Sequence, residues 1–157
     1  MANRHEWEST TREIDRLTEA FFAAVSFDAQ HAPRYESLRD LFIAGGLLVN
    51  NAGEDPQILG VDAFAGARQA TYRMGDVLSY RVLAISSATE AFGRAAQRAC
   101  TFARTGTQRD GRRFESRGAI FFQCVKSSGH WKIASAAWDD QQPGQPLMTH
   151  PEANEFG

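Results

Sequence analysis

The chain has 157 residues, 43% of them hydrophobic, and a net charge of -2 from 17 basic and 19 acidic side chains. That length supports one domain with a real core and is too short for two, and the interspersed charges offer no basic stripe for nucleic acid and no acidic tail. The amino terminus has no apolar signal core, and the greasiest run, Leu41 to Val49, carries two glycines and is far too short to span a bilayer, so a soluble cytoplasmic protein is expected.

Residues 1–9 read as a flexible N-terminus ahead of a single domain over 10–141. Thr10-Thr11-Arg12-Glu13 has the form of a capping box and predicts a helix starting there. Ile14, Leu17, Phe21 and Val25 follow at helical spacing, with Arg12, Asp15, Arg16 and Glu19 on the other side, which makes the helix amphipathic. Ser26 to Ala32 breaks the pattern, and Pro33 suits the first turn of a second, short helix carrying Tyr35, Leu38 and Leu41 or Phe42 inward. Gly45-Gly46 ends that helix or marks a bend into a short strand, Leu47-Leu48-Val49. Asn51 to Gln57 has loop chemistry. Asp62 is the expected N-cap of a third helix, with Phe64, Ala67, Thr71 and Met74 at helical spacing and Gly75 as its stop.

From Asp76 the period changes to two. Strands are predicted to continue to Gln141, the clearest being Arg94 to Gln108, Arg112 to Lys126 and His130 to Gln141. Arg109-Asp110-Gly111-Arg112 and Ser127-Ser128-Gly129-His130 between them are hairpin turns. Residues 142–157 form a polar tail with prolines at 143, 146 and 151, expected to be disordered or draped on the surface.

Helices gathered ahead of long strands predict an α+β fold, with helices covering one face of an antiparallel sheet. Residues 114–126 are apolar in part on both faces, so the second face also needs a cover. A homodimer packed through the sheet is the economical one.

The runs Phe21-Phe22-Ala23-Ala24-Val25, Leu41-Phe42-Ile43, Gly60-Val61-Asp62-Ala63-Phe64 and Gly129-His130-Trp131-Lys132-Ile133 resemble the nuclear transport factor 2-like superfamily, including its SnoaL-like polyketide cyclase branch. The resemblance spans about residues 10 to 141. It implies a cone-shaped curved antiparallel sheet wrapped around three N-terminal helices, with a pocket at the open end. Members include isomerases, cyclases, dehydratases, epoxide hydrolases and non-catalytic binding modules, so the fold by itself does not choose a function.

If both hairpin loops hold an even number of residues, Arg104, Arg117 and Asp140 share one row across the sheet and Phe102, Ala119 and Trp138 the next. Two facing arginines repel unless an anion lies beside them. On this reading Arg104 and Arg117 hold an oxyanion, Asp140 orients it or acts as general base, and Phe102 and Trp138 form an apolar wall, with Tyr72 at the rim. The competing reading is a solvent-facing charge ladder worth little energy. A one-residue loop error turns each side chain to the opposite face and brings in Ser135, Ala137 and Asp139 instead. Arg68, Tyr35 and Tyr80 are weaker pocket candidates.

The four histidines, His5, His31, His130 and His150, have no ligand spacing, so no metal site is expected. Cys100 and Cys124 read as buried small hydrophobes. No glycine-rich phosphate loop is present, and no cofactor is expected. Three functions remain: a dimeric module binding a small apolar or weakly acidic molecule, a cofactor-free isomerase, cyclase or dehydratase using a pocket carboxylate, and a protein-interaction role through the sheet face, against which an open apolar pocket would count. A carboxylate deep in the apolar pocket would separate the first two.

Overall fold

The computed structural model describes residues 4–149; residues 1–3 and 150–157, the outer parts of the expected N-terminus and tail, lie outside the described residues. Helix α1 spans Arg4–Val25 and buries Ile14, Leu17, Phe21 and Phe22. It starts ahead of the expected capping box, because the box residues have other partners. Arg4 Nε donates to Glu8 Oε1 across the first turn at 3.1 Å. The Thr11 hydroxyl donates to the Trp7 carbonyl at 2.9 Å, a bond of the helix interior. Glu13 Oε1 accepts the Trp131 backbone N–H at 3.1 Å and ties the helix to the last strand.

The second expected helix is a 3-10 turn, Tyr35–Asp40, burying Tyr35 and Leu38. Strand β1, Phe42–Asn50, then runs straight through the two glycines where a break was expected. Gly45 has φ +82°, and the pairing of β1 slips between Phe42 and Leu47, so the glycines form an irregularity within one strand. β2 is Gln57–Gly60 and helix α2 is Val61–Arg73, whose N-cap is Gly60 in place of Asp62. Asp62 falls in the first turn, where its charge suits the helix dipole, and it pairs with Arg39 at 3.0 Å. Gly75, at φ +75°, follows the end of α2 as expected.

The remaining strands are β3 (Val77–Phe92), β4 (Ala95–Gln108), β5 (Arg113–Ser127) and β6 (His130–Asp140). The six strands form one curved, open sheet in the order β2-β1-β6-β5-β4-β3. Each neighbouring pair is antiparallel except β1 and β6, which run parallel, so the sheet is mixed. No hairpin joins β1 to β6, and their relative direction is therefore not set by a turn.

The inner face packs on α1. Phe21 and Phe22 meet Phe122 edge-on at ring distances of 5.2 and 6.0 Å, around the fully buried Ile14, Leu38 and Ile133. Cys100 and Cys124 are free and buried in the same layer. Tail residues Gln145 to Met148 share a cleft with Phe121 and Ala137 on the outer face. No helix among the described residues is long and apolar enough to cross a membrane.

Two hairpin details set the register. The β4–β5 turn holds three residues, Arg109-Asp110-Gly111, with Gln108 N–H bonded to the Arg112 carbonyl at 2.8 Å and Gly111 at φ +88°. An odd loop closed by a left-handed glycine replaces the even loop assumed from the sequence. Ser116 rather than Arg117 therefore faces Arg104. The β5–β6 turn is the expected two-residue one, Ser128-Gly129, both at positive φ, with Ser127 facing His130. A bulge between Gln123 and Cys124 then shifts the pairing by one, so Asp140 faces Gly118.

Candidate functional site

Beyond the end of α1 the inner face of the sheet encloses a cavity of about 250 Å³. Phe21, Phe22 and Val25 in the last turns of α1 form one wall, and Phe64, Arg68, Thr71 and Tyr72 of α2 another. The sheet supplies Tyr80, Phe102, Arg104, Ile120 and Trp138, and Phe27 and Tyr35 close the side between the helices. Gly118 makes this shape possible: a Cβ there would lie 2.6 Å from the Phe102 ring and closer still to the Asp139 carbonyl.

Backbone pairing sets the aromatic walls. Phe27 and Tyr80 exchange N–H to carbonyl bonds at 2.8 and 2.9 Å, an isolated bridge that stacks their rings at 6.0 Å. Tyr72 meets Phe27 edge-on at 4.9 Å, and Phe64 meets Trp138 at 5.8 Å. These offset and edge-on contacts favour a wall that holds its shape.

The polar groups of the lining are Arg68, Arg104, Thr71 and all three tyrosines of the chain; no aspartate, glutamate or histidine lines the cavity. Arg104 is heavily tied. Its Nε donates to Tyr80 Oη at 3.0 Å, and its Nη1 donates to Asp140 Oδ1 at 2.8 Å and Ser116 Oγ at 3.2 Å. Its guanidinium also lies 4.9 Å from the centre of the Phe102 ring. Burial works against the Arg104 charge, but the Tyr80 oxygen and the Asp140 carboxylate outweigh it and raise its pKa. Because Tyr80 accepts from Arg104, its O–H is left to donate. Burial pushes the Tyr35 phenol up to about 12, although nearby Arg68 pulls it down. Arg68 lies 4.9 Å over the Phe64 ring and has no carboxylate partner among the described residues. No group of three or more His, Cys, Asp or Glu side chains among the described residues can hold a metal ion.

No family model matches the sequence, and no curated protein matches it. Solved structures do. A Salmonella enterica protein of the nuclear transport factor 2-like superfamily is 14% identical, with TM-score 0.69 over 89% of this chain and 99% of that one. The fold is the nuclear transport factor 2-like one. A Mycobacterium tuberculosis protein of unknown function is 18% identical with TM-score 0.74, covering 92% of this chain and 79% of that one. A Catenulispora acidiphila protein solved in complex with S-DNPA is 18% identical with TM-score 0.67, over 85% of this chain and 94% of that one.

Within the nuclear transport factor 2-like frame, Tyr72, Phe102, Arg104 and Trp138 line the cavity, and so do the weaker candidates Tyr35, Arg68 and Tyr80. Asp140 is joined to Arg104 but is not part of the lining. Arg117 is a correction. It faces Ala103, points to the outer face and is exposed, because the three-residue turn turns β5 over. Ser116 takes the place foreseen for it beside Arg104. Phe27 and Phe64 went unremarked as pocket residues, since an aromatic at helical or loop spacing reads as core. The signal available was compositional: the tyrosines are few and all gather here.

Proposed function

We propose that the protein is a small-molecule-binding module of the nuclear transport factor 2-like kind, cytoplasmic, dimeric through the outer face of the sheet and not catalytic. The observation that carries this reading is the lining: an aromatic cavity whose polar groups are arginines and hydroxyls, with no carboxylate or histidine to move a proton. A SnoaL-like isomerase, cyclase or dehydratase would need such a base within hydrogen-bond reach of its ligand. Asp140 is bound to Arg104 at 2.8 Å, which leaves it a positioning partner of the arginine. The Catenulispora acidiphila protein, solved with S-DNPA, supports the fold as a host for a small molecule.

Dimerisation is supported by Leu47, Leu83 and Phe121, all half exposed on the outer face. Sedimentation at micromolar concentration tests it, and a monomer at every concentration would remove the dimer from the reading. The cavity is tested with N-phenyl-1-naphthylamine, a neutral probe that fluoresces in apolar surroundings. It should bind the protein saturably, and Val77→Trp at the cavity lining should weaken it about tenfold without unfolding the chain. Absence of saturable binding would defeat the proposal.

A further inference from the structure

Taking the cavity as a ligand site, we infer that its occupant is a flat, apolar anion whose acid group lies between the Arg68 guanidinium and the Tyr35 hydroxyl. The charge inventory of the lining leads there. Two arginines line the cavity and no acid does. Arg104 already has its counter-charge in Asp140, and Tyr80 and Ser116 also accept from its Nε and Nη1. Arg68 has none among the described residues; what it touches is the face of Phe64.

Phe64 is itself buried and packed edge-on against Trp138, so the ring that carries the Arg68 guanidinium is fixed. A guanidinium lying on an aromatic face is preorganised, and its N–H donors remain available for a planar acceptor. Tyr35 is buried on the same cavity, and its hydroxyl has no hydrogen-bond partner among the described residues. Burial lifts the phenol pKa to about 12, so Tyr35 keeps its proton at neutral pH and is a donor. Arg68 and Tyr35 line the same cavity, and the Arg68 charge is felt at the Tyr35 phenol; on this inference both donate to one oxyanion, with Tyr72 and Phe27 in the same lining for its ring.

The alternatives fit less well. A cationic ligand would meet two arginines and no acid. A sugar would leave most of its hydroxyls against phenyl rings, a cost of desolvation without hydrogen bonds. A bicyclic aromatic carboxylate satisfies both ends: ring on ring, and carboxylate on a guanidinium that has no carboxylate partner among the described residues.

The test is calorimetric titration with 2-naphthoate and with 2-naphthamide, which share shape and differ in charge. 2-Naphthoate should bind about tenfold tighter than the amide, the scale of one charge-assisted hydrogen-bond pair. Arg68→Gln should abolish that preference, Arg68→Lys should restore part of it, and Tyr35→Phe should reduce it. Equal binding of acid and amide by the native protein overturns the anionic ligand while the cavity keeps its role. A preference that survives Arg68→Gln overturns the placement of the acid group. If neither compound binds, the ligand-site reading fails and this inference fails with it.

Discussion

Strand β4 carries two arginines on the same inner face, and they live in different worlds. Arg98 lies under α1, is 5% exposed, and bonds to Thr89, Thr18 and the Asp15 carboxylate of the helix. Arg104 lies past the end of α1, where the same face opens into the cavity, and is held by Tyr80, Ser116 and Asp140. One strand therefore serves as core at one end and cavity wall at the other, and where the helix stops decides which. Sealed by the helix, Arg98 joins elements together. Lacking that cover, Arg104 shapes a space.

The sealed half should show the largest effects on stability. Phe122 is fully buried between β5 and the two phenylalanines of α1, so Phe122→Ala should cost about 3–5 kcal/mol in denaturant unfolding. Arg98→Ala leaves Asp15 without its partner and opens space under the helix. Since Asp15 is nearly half exposed, the cost belongs at the low end for broken ion pairs, about 2–3 kcal/mol. A loss as small as a surface pair would mean that the two halves of β4 do not differ as described.

In the open half the effects on stability shrink and those on binding grow. Asp140→Asn should cost about 1.5 kcal/mol, the low end for a hydrogen bond to a charged group, since the asparagine oxygen can still accept from Arg104. It should also raise 2-naphthoate affinity several-fold, because Arg104 then becomes a second cation without a counter-charge, while 2-naphthamide binding stays the same. Weaker binding of both compounds would instead make Asp140 a support of the cavity wall.

Alkaline titration separates the halves less strongly but with a clear sign. Tyr35 in the open half moves from 10.0 to about 12, and Cys100 in the sealed half from 9.0 to about 12, both through burial. Each folded pKa lies above its unfolded value, so the native state holds the proton longer. The stability each contributes is complete below the unfolded pKa and is lost as pH rises toward about 12. Unfolding free energy should therefore fall from about pH 9 upward, and Tyr35→Phe should flatten the part above pH 10. A native-state tyrosinate signal that is complete by the ordinary phenol pKa would contradict the burial of Tyr35.

Strong periodicity made α1, the long strands and both hairpins legible, because turn residues and alternation report local geometry. What escaped was set at a distance or by a single inserted residue. Nothing near β1 in sequence says that it will lie parallel to β6, and two glycines in a row resemble a break until a bulge absorbs them. The site shows the same limit. The odd turn before β5 and the bulge in β5–β6 each shift the pairing by one, and the two shifts cancel in parity between β4 and β6. Phe102, Arg104, Trp138 and Asp140 thus keep the face assigned to them, while β5 alone is turned over, sending Arg117 and Phe121 outward and bringing in Ser116 and Ile120.

Arg117 consequently gives the smallest effect and the sharpest check on which face of β5 is which. An exposed arginine opposite Ala103, without an ion-pair partner among the described residues, should change stability by about 0.5 kcal/mol or less when replaced by alanine. Affinity for 2-naphthoate should be unchanged in Arg117→Ala, because the whole sheet lies between that side chain and the cavity. Its neighbours on the outer face, Leu83 across β4 and Phe121 along β5, are apolar and half exposed, so under the proposed dimer any effect of the substitution is on association of two copies. A loss of naphthoate binding with sedimentation unchanged would turn β5 back over. Ser116→Ala, which removes a bond to Arg104 on the cavity side, is the matched control and should perturb binding where Arg117→Ala does not.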